Sequence, residues 1–317
     1  MIYSIRPFTP DDYEAVAQIG TAAFDHPIDP VQMRYNLEHS EPKYLHRWWV
    51  AEADGRPVAY AGYNQWEGQY HPRKFFIEIW VTPQYQRQGI GTALYETLMA
   101  ALEPFEPLSV SSESRESLPD GMAFLTKRGF TEGLRAWQST LELNAFDPTP
   151  YLDAEDRVRA QGIALRTYAD LADDPERDQK LFDLISTVRV DMPTTEPLTP
   201  INYESWVARL HANPDFLPNS YMVAVHGDRY VGVSVLHASR EKERLNTGLT
   251  AVRREYRKHG VAIAMKVWLL TRAKEAGYKR VITFNAAINR AMLGINERLG
   301  FVKTPAWIDY VKVLRSE

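Results

Sequence analysis

The chain has 317 residues, about twice a usual domain length of ~150, so two domains or one large α/β unit is the first expectation. Its composition of 44% hydrophobic, 12% aromatic and 25% charged residues supplies matter for packed cores and argues against a disordered chain. Thirty-seven Lys and Arg against 41 Asp and Glu give a formal charge of −4, with no general pull toward nucleic acid or an anionic membrane, and the absence of Cys excludes disulfides, thiolate-zinc sites, iron–sulfur clusters and a cysteine nucleophile.

The N-terminal Met1-Ile2-Tyr3-Ser4-Ile5-Arg6 carries no apolar run of signal-peptide length. The most apolar stretch, 261–270, is interrupted by Lys266 and is too short to span a bilayer. A cytoplasmic protein with neither a membrane nor a nucleic-acid partner is therefore expected.

In chain order, a short strand at Ile5-Arg6-Pro7-Phe8 leads to acidic Asp11 and Asp12 and a helix. A hairpin follows: Trp49-Val50-Ala51-Glu52, a turn at Asp54-Gly55, and Val58-Ala59-Tyr60. The strand 75–81 stops at Pro83 and feeds a loop with two glycines, then a helix with apolar positions Ile90, Leu94, Leu98 and Leu102. A strand over 108–111, a helix ending at Gly129-Phe130 and a final strand complete the set. The order then recurs. Leu165-Arg166-Thr167-Tyr168, a hairpin turning at Gly227-Asp228, a strand ending at Val252, a helix with Val261, Met265, Trp268 and Leu269, a strand over 281–284 and a closing Gly300-Phe301 follow. Val81, Gly89 and Phe130 are matched by Val252, Gly260 and Phe301, each 171 residues later. Three landmarks at one offset point to a duplication. The expected copies are 1–145 and 162–317, joined by a linker over 146–161 that opens with Phe146-Asp147-Pro148-Thr149-Pro150.

The chemistry concentrates where each strand enters its long helix. Glycines let the backbone approach a bound group, and first-turn amides without internal partners make an anion site that Arg87 reinforces. A diphosphate fits this pattern; a plain strand-to-helix turn with a basic surface is the competing reading of either loop alone. The Rossmann fingerprint fails because Leu94 stands where its third glycine belongs, and no Gly-Lys-Ser/Thr is present for a P-loop.

Gln86-Arg87-Gln88-Gly89-Ile90-Gly91 and Arg257-Lys258-His259-Gly260-Val261-Ala262, each following an apolar strand, resemble the GNAT superfamily of acyl-CoA N-acyltransferases. The closing Gly129-Phe130 and Gly300-Phe301 resemble that family's late helix-to-strand junction. The tandem layout is similar to that of two-domain acetyltransferases of the mycothiol-synthase type. The resemblance implies an α/β fold of two tandem GNAT-like domains, each a mixed central sheet flanked by helices. It also implies acetyl-CoA as co-substrate and no metal. Carried over, the residues that contact CoA would be Val81, Gln86, Arg87, Gln88, Gly89, Ile90, Gly91 and Thr92 in the first copy. In the second they would be Val252, Arg257, Lys258, His259, Gly260, Val261, Ala262, Asn285 and Asn289, although Asn285 also reads as a strand end and Asn289 as a helix cap.

An amine of pKa ~10.4 must lose its proton to attack a thioester, so a base is needed. Glu78 is the candidate: strand alternation puts it on one face with Phe76 and Trp80, where desolvation would raise its pKa. A Glu paired with Arg or Lys is the competing reading. The corresponding residue of the second copy is Leu249, beside Thr250. The family's acid, a tyrosine five residues before the closing phenylalanine, is replaced by Leu125 and Asn296. His71 reads as a solvent-facing loop residue, and Trp48, Trp49 and Trp66 as packing rather than a substrate cage. The expected activity is acetyl transfer to the amine of a small molecule or peptide, by a monomer or homodimer. A CoA-binding or scaffold protein with one or both copies inactive is the alternative.

Overall fold

The computed structural model describes residues 2–24, 27–239 and 241–316. The first half runs β1 (Ser4–Pro7), α1 (Tyr13–Phe24), α2 (Pro30–Glu38), β2 (His46–Ala53), β3 (Arg56–Asn64), β4 (Lys74–Val81), α3 (Ile90–Leu102), β5 (Ser109–Arg115), α4 (Pro119–Thr126) and β6 (Thr131–Glu142). The second runs α5 (Ala154–Arg159), β7 (Ile163–Thr167), α6 (Arg177–Val188), α7 (Tyr203–Ala212), β8 (Tyr221–His226), β9 (Arg229–Ala238), β10 (Arg244–Val252), α8 (Val261–Glu275), β11 (Arg280–Ala286), α9 (Arg290–Arg298), β12 (Val302–Lys303) and β13 (Trp307–Val313).

Two compact units emerge: Met1–Arg135 with Thr195–Thr199 and Trp307–Glu317, and Ala136–Thr194 with Pro200–Ala306. They differ from the sequence copies 1–145 and 162–317. The reason is strand pairing. In the first unit the sheet order is β1-β2-β3-β4-β5-β13, so the last strand of the chain closes it, antiparallel to β5. In the second unit residues 136–142 of β6 pair antiparallel with β11, and the order continues through β10, β9, β8 and β7. Each unit thus takes its closing strand from the other half of the sequence.

The first unit has helices on both sheet faces. The face bearing Phe75 and Ile77 packs on α3, whose Ile90, Leu94, Leu98 and Leu102 are the four buried helix positions set by the apolar spacing. The opposite face, with Val50, Tyr60 and Trp80, packs on Val16 and Ile19 of α1. The second unit repeats this, with α8 over one face and α6 over the other. Lys266, which interrupts the apolar run in sequence, is nonetheless buried on α8 over the ring of Phe301 at 5.5 Å. Burial favours its neutral form and pushes the amine down to about 8.

Leu98 has no solvent exposure, so Leu98→Ala leaves a cavity as well as losing transfer free energy. We expect a loss of about 2–5 kcal/mol in denaturant-induced unfolding, read as a lowered midpoint.

Candidate active site

β4 and β5 are parallel neighbours, yet they pair only at Lys74–Ser109, Phe75–Val110 and Phe76–Ser111. Beyond these positions the strands part, while β4 stays in antiparallel register with β3 as far as Val81. The parting opens a cavity of about 700 Å³ that includes Glu78, Val81, Gly89, Glu113 and Trp307. β10 and β11 repeat the pattern: they pair at Arg244–Arg280, Leu245–Val281 and Asn246–Ile282 and then part.

The loop after β4 is shaped by two left-handed residues, Arg87 (φ 61°) and Gly89 (φ 87°). Lys258 (φ 66°) and Gly260 (φ 84°) repeat them in the second unit. A non-glycine residue held at positive φ is uncommon, and its recurrence at matched positions marks a constrained backbone concavity of the kind that binds anions. A Cβ built on Gly89 or Gly260 meets nothing within 4 Å, so the space it would fill is open to a ligand. Among the described residues, the amides of Ile90 and Gly91 at the start of α3 have no backbone acceptor. The residues fit a pyrophosphate.

The side chains of the loop divide their roles. Gln86 donates to the Val81 carbonyl at 3.0 Å, and Arg257 donates to the Val252 carbonyl at 2.9 Å, so both brace the strand end. Gln88 bonds the Gln84 carbonyl at 2.9 Å. Thr92 accepts from Arg128 at 2.8 Å, and the Arg128 guanidinium lies 3.5 Å from the centre of the Phe124 ring. Arg87, Lys127 and Arg128 all border the cavity and make its loop end basic, with Arg87 3.6 Å from Asp120. In the second unit Asp191 binds both Arg254 and Arg257, and these two cations hold its carboxyl far below the usual range. Gln161 meets His259 at 2.9 Å. Asn285 accepts from Asn296 at 2.6 Å, and Asn289 caps α9 by accepting from the Met292 amide at 3.2 Å.

Glu78 stands on the face of β4 that carries Trp80, as alternation requires, and borders the cavity. Among the described residues no Lys or Arg makes an ion pair with it. Its hydrogen-bond partner is the fully buried Tyr60, whose hydroxyl donates at 3.4 Å. Burial raises the Glu78 carboxyl to about 7, against the smaller lowering effect of the Tyr60 bond. Gly62 sits directly across from Glu78; a Cβ there would lie 2.5 Å from Trp48 and 2.7 Å from the Tyr60 hydroxyl, so this glycine makes room for the pair.

In the second unit Leu249 joins an apolar cluster with Val223 and Val233, and Thr250 is hydrogen-bonded to Ser234 at 2.9 Å. Leu125 is buried in the core, and Asn296 is buried against Asn285, so neither offers a phenol. Their carbonyls instead accept from the amides of Phe130 and Phe301, at 3.2 and 3.0 Å, closing their helices alike. His71 accepts from the Arg73 amide at 3.1 Å and acts within its turn.

Two family profiles match the chain: the acetyltransferase (GNAT) family over residues 12–130 and the acetyltransferase (GNAT) domain over 166–302, together well over half of its length. The chain belongs to the GNAT superfamily. It is built of two GNAT domains in tandem, from a superfamily that uses acetyl-CoA. None of the curated proteins matches it. Among solved structures it is similar to a GCN5-related N-acetyltransferase from Sphaerobacter thermophilus, with TM-score 0.75, 17% identity and coverage of 99% of this chain and 96% of that one. It is also similar to a tandem GNAT protein from the clavulanic acid biosynthesis pathway, with TM-score 0.74, 20% identity and full coverage of both chains. These likenesses show the fold. No described helix is long and apolar enough to cross a membrane, and the described residues hold no His, Cys, Asp or Glu group able to bind a metal.

Gly89→Ala should strain the left-handed position by roughly 1–2 kcal/mol and place a methyl group in the ligand space. The expected result is a CoA dissociation constant raised about tenfold or more in calorimetric titration, with the far-ultraviolet spectrum unchanged.

Proposed function

We propose that the first unit transfers an acetyl group from acetyl-CoA to the amine of a small-molecule or peptide acceptor by direct attack, with Glu78 as general base. The observation that carries this reading is Glu78 itself: a carboxyl raised to about 7, hydrogen-bonded to Tyr60, at the edge of the cavity where β4 and β5 part. When bound, acetyl-CoA supplies the electrophilic carbonyl and a thiolate leaving group.

The chain's residues do the rest. The 86–91 loop and the basic group of Arg87, Lys127 and Arg128 would hold the diphosphate, and the open edges of β4 and β5 offer unpaired backbone to the pantetheine arm. Glu78 takes a proton from the acceptor ammonium, directly or through water, leaving the neutral amine to attack. A base with pKa near the working pH combines ionisation with useful basicity. The tyrosine acid is missing, but a thiol of intrinsic pKa near ~8.5 leaves without one. We read the protein as a cytoplasmic enzyme acting as a monomer or homodimer, in keeping with its lack of cysteine and near-balanced charge.

For the second unit the alternative reading is favoured, a GNAT domain without catalysis of its own. Leu249 replaces the base, Thr250 is bonded to Ser234, and Asp191 occupies the arginines of the loop.

Glu78→Gln should lower kcat by about 100-fold or more in a thiol-release assay while leaving CoA affinity within about twofold. An unchanged rate removes Glu78 as the base. The pH profile provides the companion test. Because the carboxyl is raised, it is ionised only above about 7, so kcat/KM of the native enzyme should fall roughly tenfold per pH unit below that value. Glu78→Gln should lose that limb.

A further inference from the structure

The first unit's cleft contains more carboxyl groups than a single base requires. Glu113 on β5 and Asp309 on β13 are directly opposite each other in antiparallel register, so their side chains share one face. Glu78 is close enough for its charge to act on Glu113, and both border the cavity. Like charges set opposite across a strand pair destabilise a sheet, and among the described residues no cation makes an ion pair with any of the three. A basic group on that face, Arg115, donates to the Phe24 carbonyl at 3.0 Å and lies 5.5 Å from the Trp307 ring centre, with its Nε buried and unpartnered. Desolvation by the cleft walls, then the charges of Glu78 and Asp309, raise Glu113 to about 8, although solvent still reaches its side chain; Asp309 is raised by burial. The sheet therefore sets two carboxyl groups opposite each other with no cation paired to them among the described residues, an arrangement that its own folding does not explain.

The walls complete the picture. Phe24, Phe76, Trp80 and Trp307 border the same cavity, with Phe24 edge-on to Trp80 at 5.8 Å and tilted against Trp307 at 5.3 Å. Aromatic faces attract cations, and Trp307 already sits beside the Arg115 guanidinium. The three carboxylates do not form a metal-holding group. An organic cation fits both features: its charge answers the carboxylates and its methylene groups pack on the rings.

Resting on the acetyltransferase reading above, we infer that the first unit's acceptor is an amine carrying a second cationic group, with Glu113 and Asp309 holding the distal ammonium while Glu78 faces the reacting one. A second ammonium beside Glu113 and Asp309 favours their ionised forms and pairs with them; a monoamine brings no such partner. The subsite thus sets specificity by charge and takes no part in bond making.

Cadaverine and pentylamine share a five-carbon chain and differ only in the second ammonium, so they are the probes. The wild-type protein should bind cadaverine about tenfold or more tightly than pentylamine in calorimetric titration. Glu113→Gln and Asp309→Asn should each reduce that ratio, and the double variant should bring it near one. Equal binding of the two amines by the wild type overturns the inference without any variant having to fold. An unchanged ratio in a folded double variant overturns it too. Thiol release in the same samples separates the two readings. Cadaverine bound tightly through Glu113 and Asp309 with no thiol released supports the subsite and defeats the acetyltransferase reading. Release at equal kcat/KM from both amines keeps the transferase and defeats the subsite.

Discussion

The parting of β4 and β5 is the constraint on which the site depends. Parallel strands normally satisfy each other's backbone along their length, but here the ladder ends at Phe76 and Ser111. The polar edges left beyond that point need partners, and the space between them is wide enough to take an extended chain that pairs with the open strand edges. Other features follow from the opening. Gly89 and α3 begin where β4 ends, so the start of the helix, with Gly89 and Gly91, borders the cleft. Glu78 lies on the stretch of β4 released from β5, bordered by protein on one side and cavity on the other, and its raised pKa is a consequence of that position.

The second domain keeps the architecture and changes the chemistry. Its strands part after the same number of pairs and its loop uses the same left-handed positions. Conformation and charge have nevertheless separated. β10 carries an irregularity between Thr247 and Thr250 that β4 lacks, Leu249 packs into an apolar cluster, and Asp191 pairs with the loop arginines. A duplicated fold preserves what packing and backbone geometry demand; the carboxylate at 78 answers to neither and has no counterpart.

Much of the first site was legible because its signals are local. The spacing of Ile90, Leu94, Leu98 and Leu102 gave the buried face of α3, the two-residue alternation put Glu78 beside Trp80, and the glycines marked the sharp turn from β4 into α3. What stayed hidden depends on long-range register. Glu113 and Asp309 meet because β13, from the far end of the chain, closes the first sheet, and no window of sequence contains that pairing. Arg128 reaches Thr92 only when the end of α4 folds back over the start of α3. The assignment of Gln86 and Asn289 side chains to the strand end and the helix cap likewise needs the folded backbone, because each residue type serves a ligand or a local bond equally well.

The most direct test of the central claim is a crystal structure of the protein with acetyl-CoA bound. The account predicts the diphosphate on the backbone of residues 86–91, the pantetheine arm between β4 and β5, and the thioester beside Glu78. Acetyl-CoA bound only at the second domain's loop, or a thioester remote from Glu78, would contradict it.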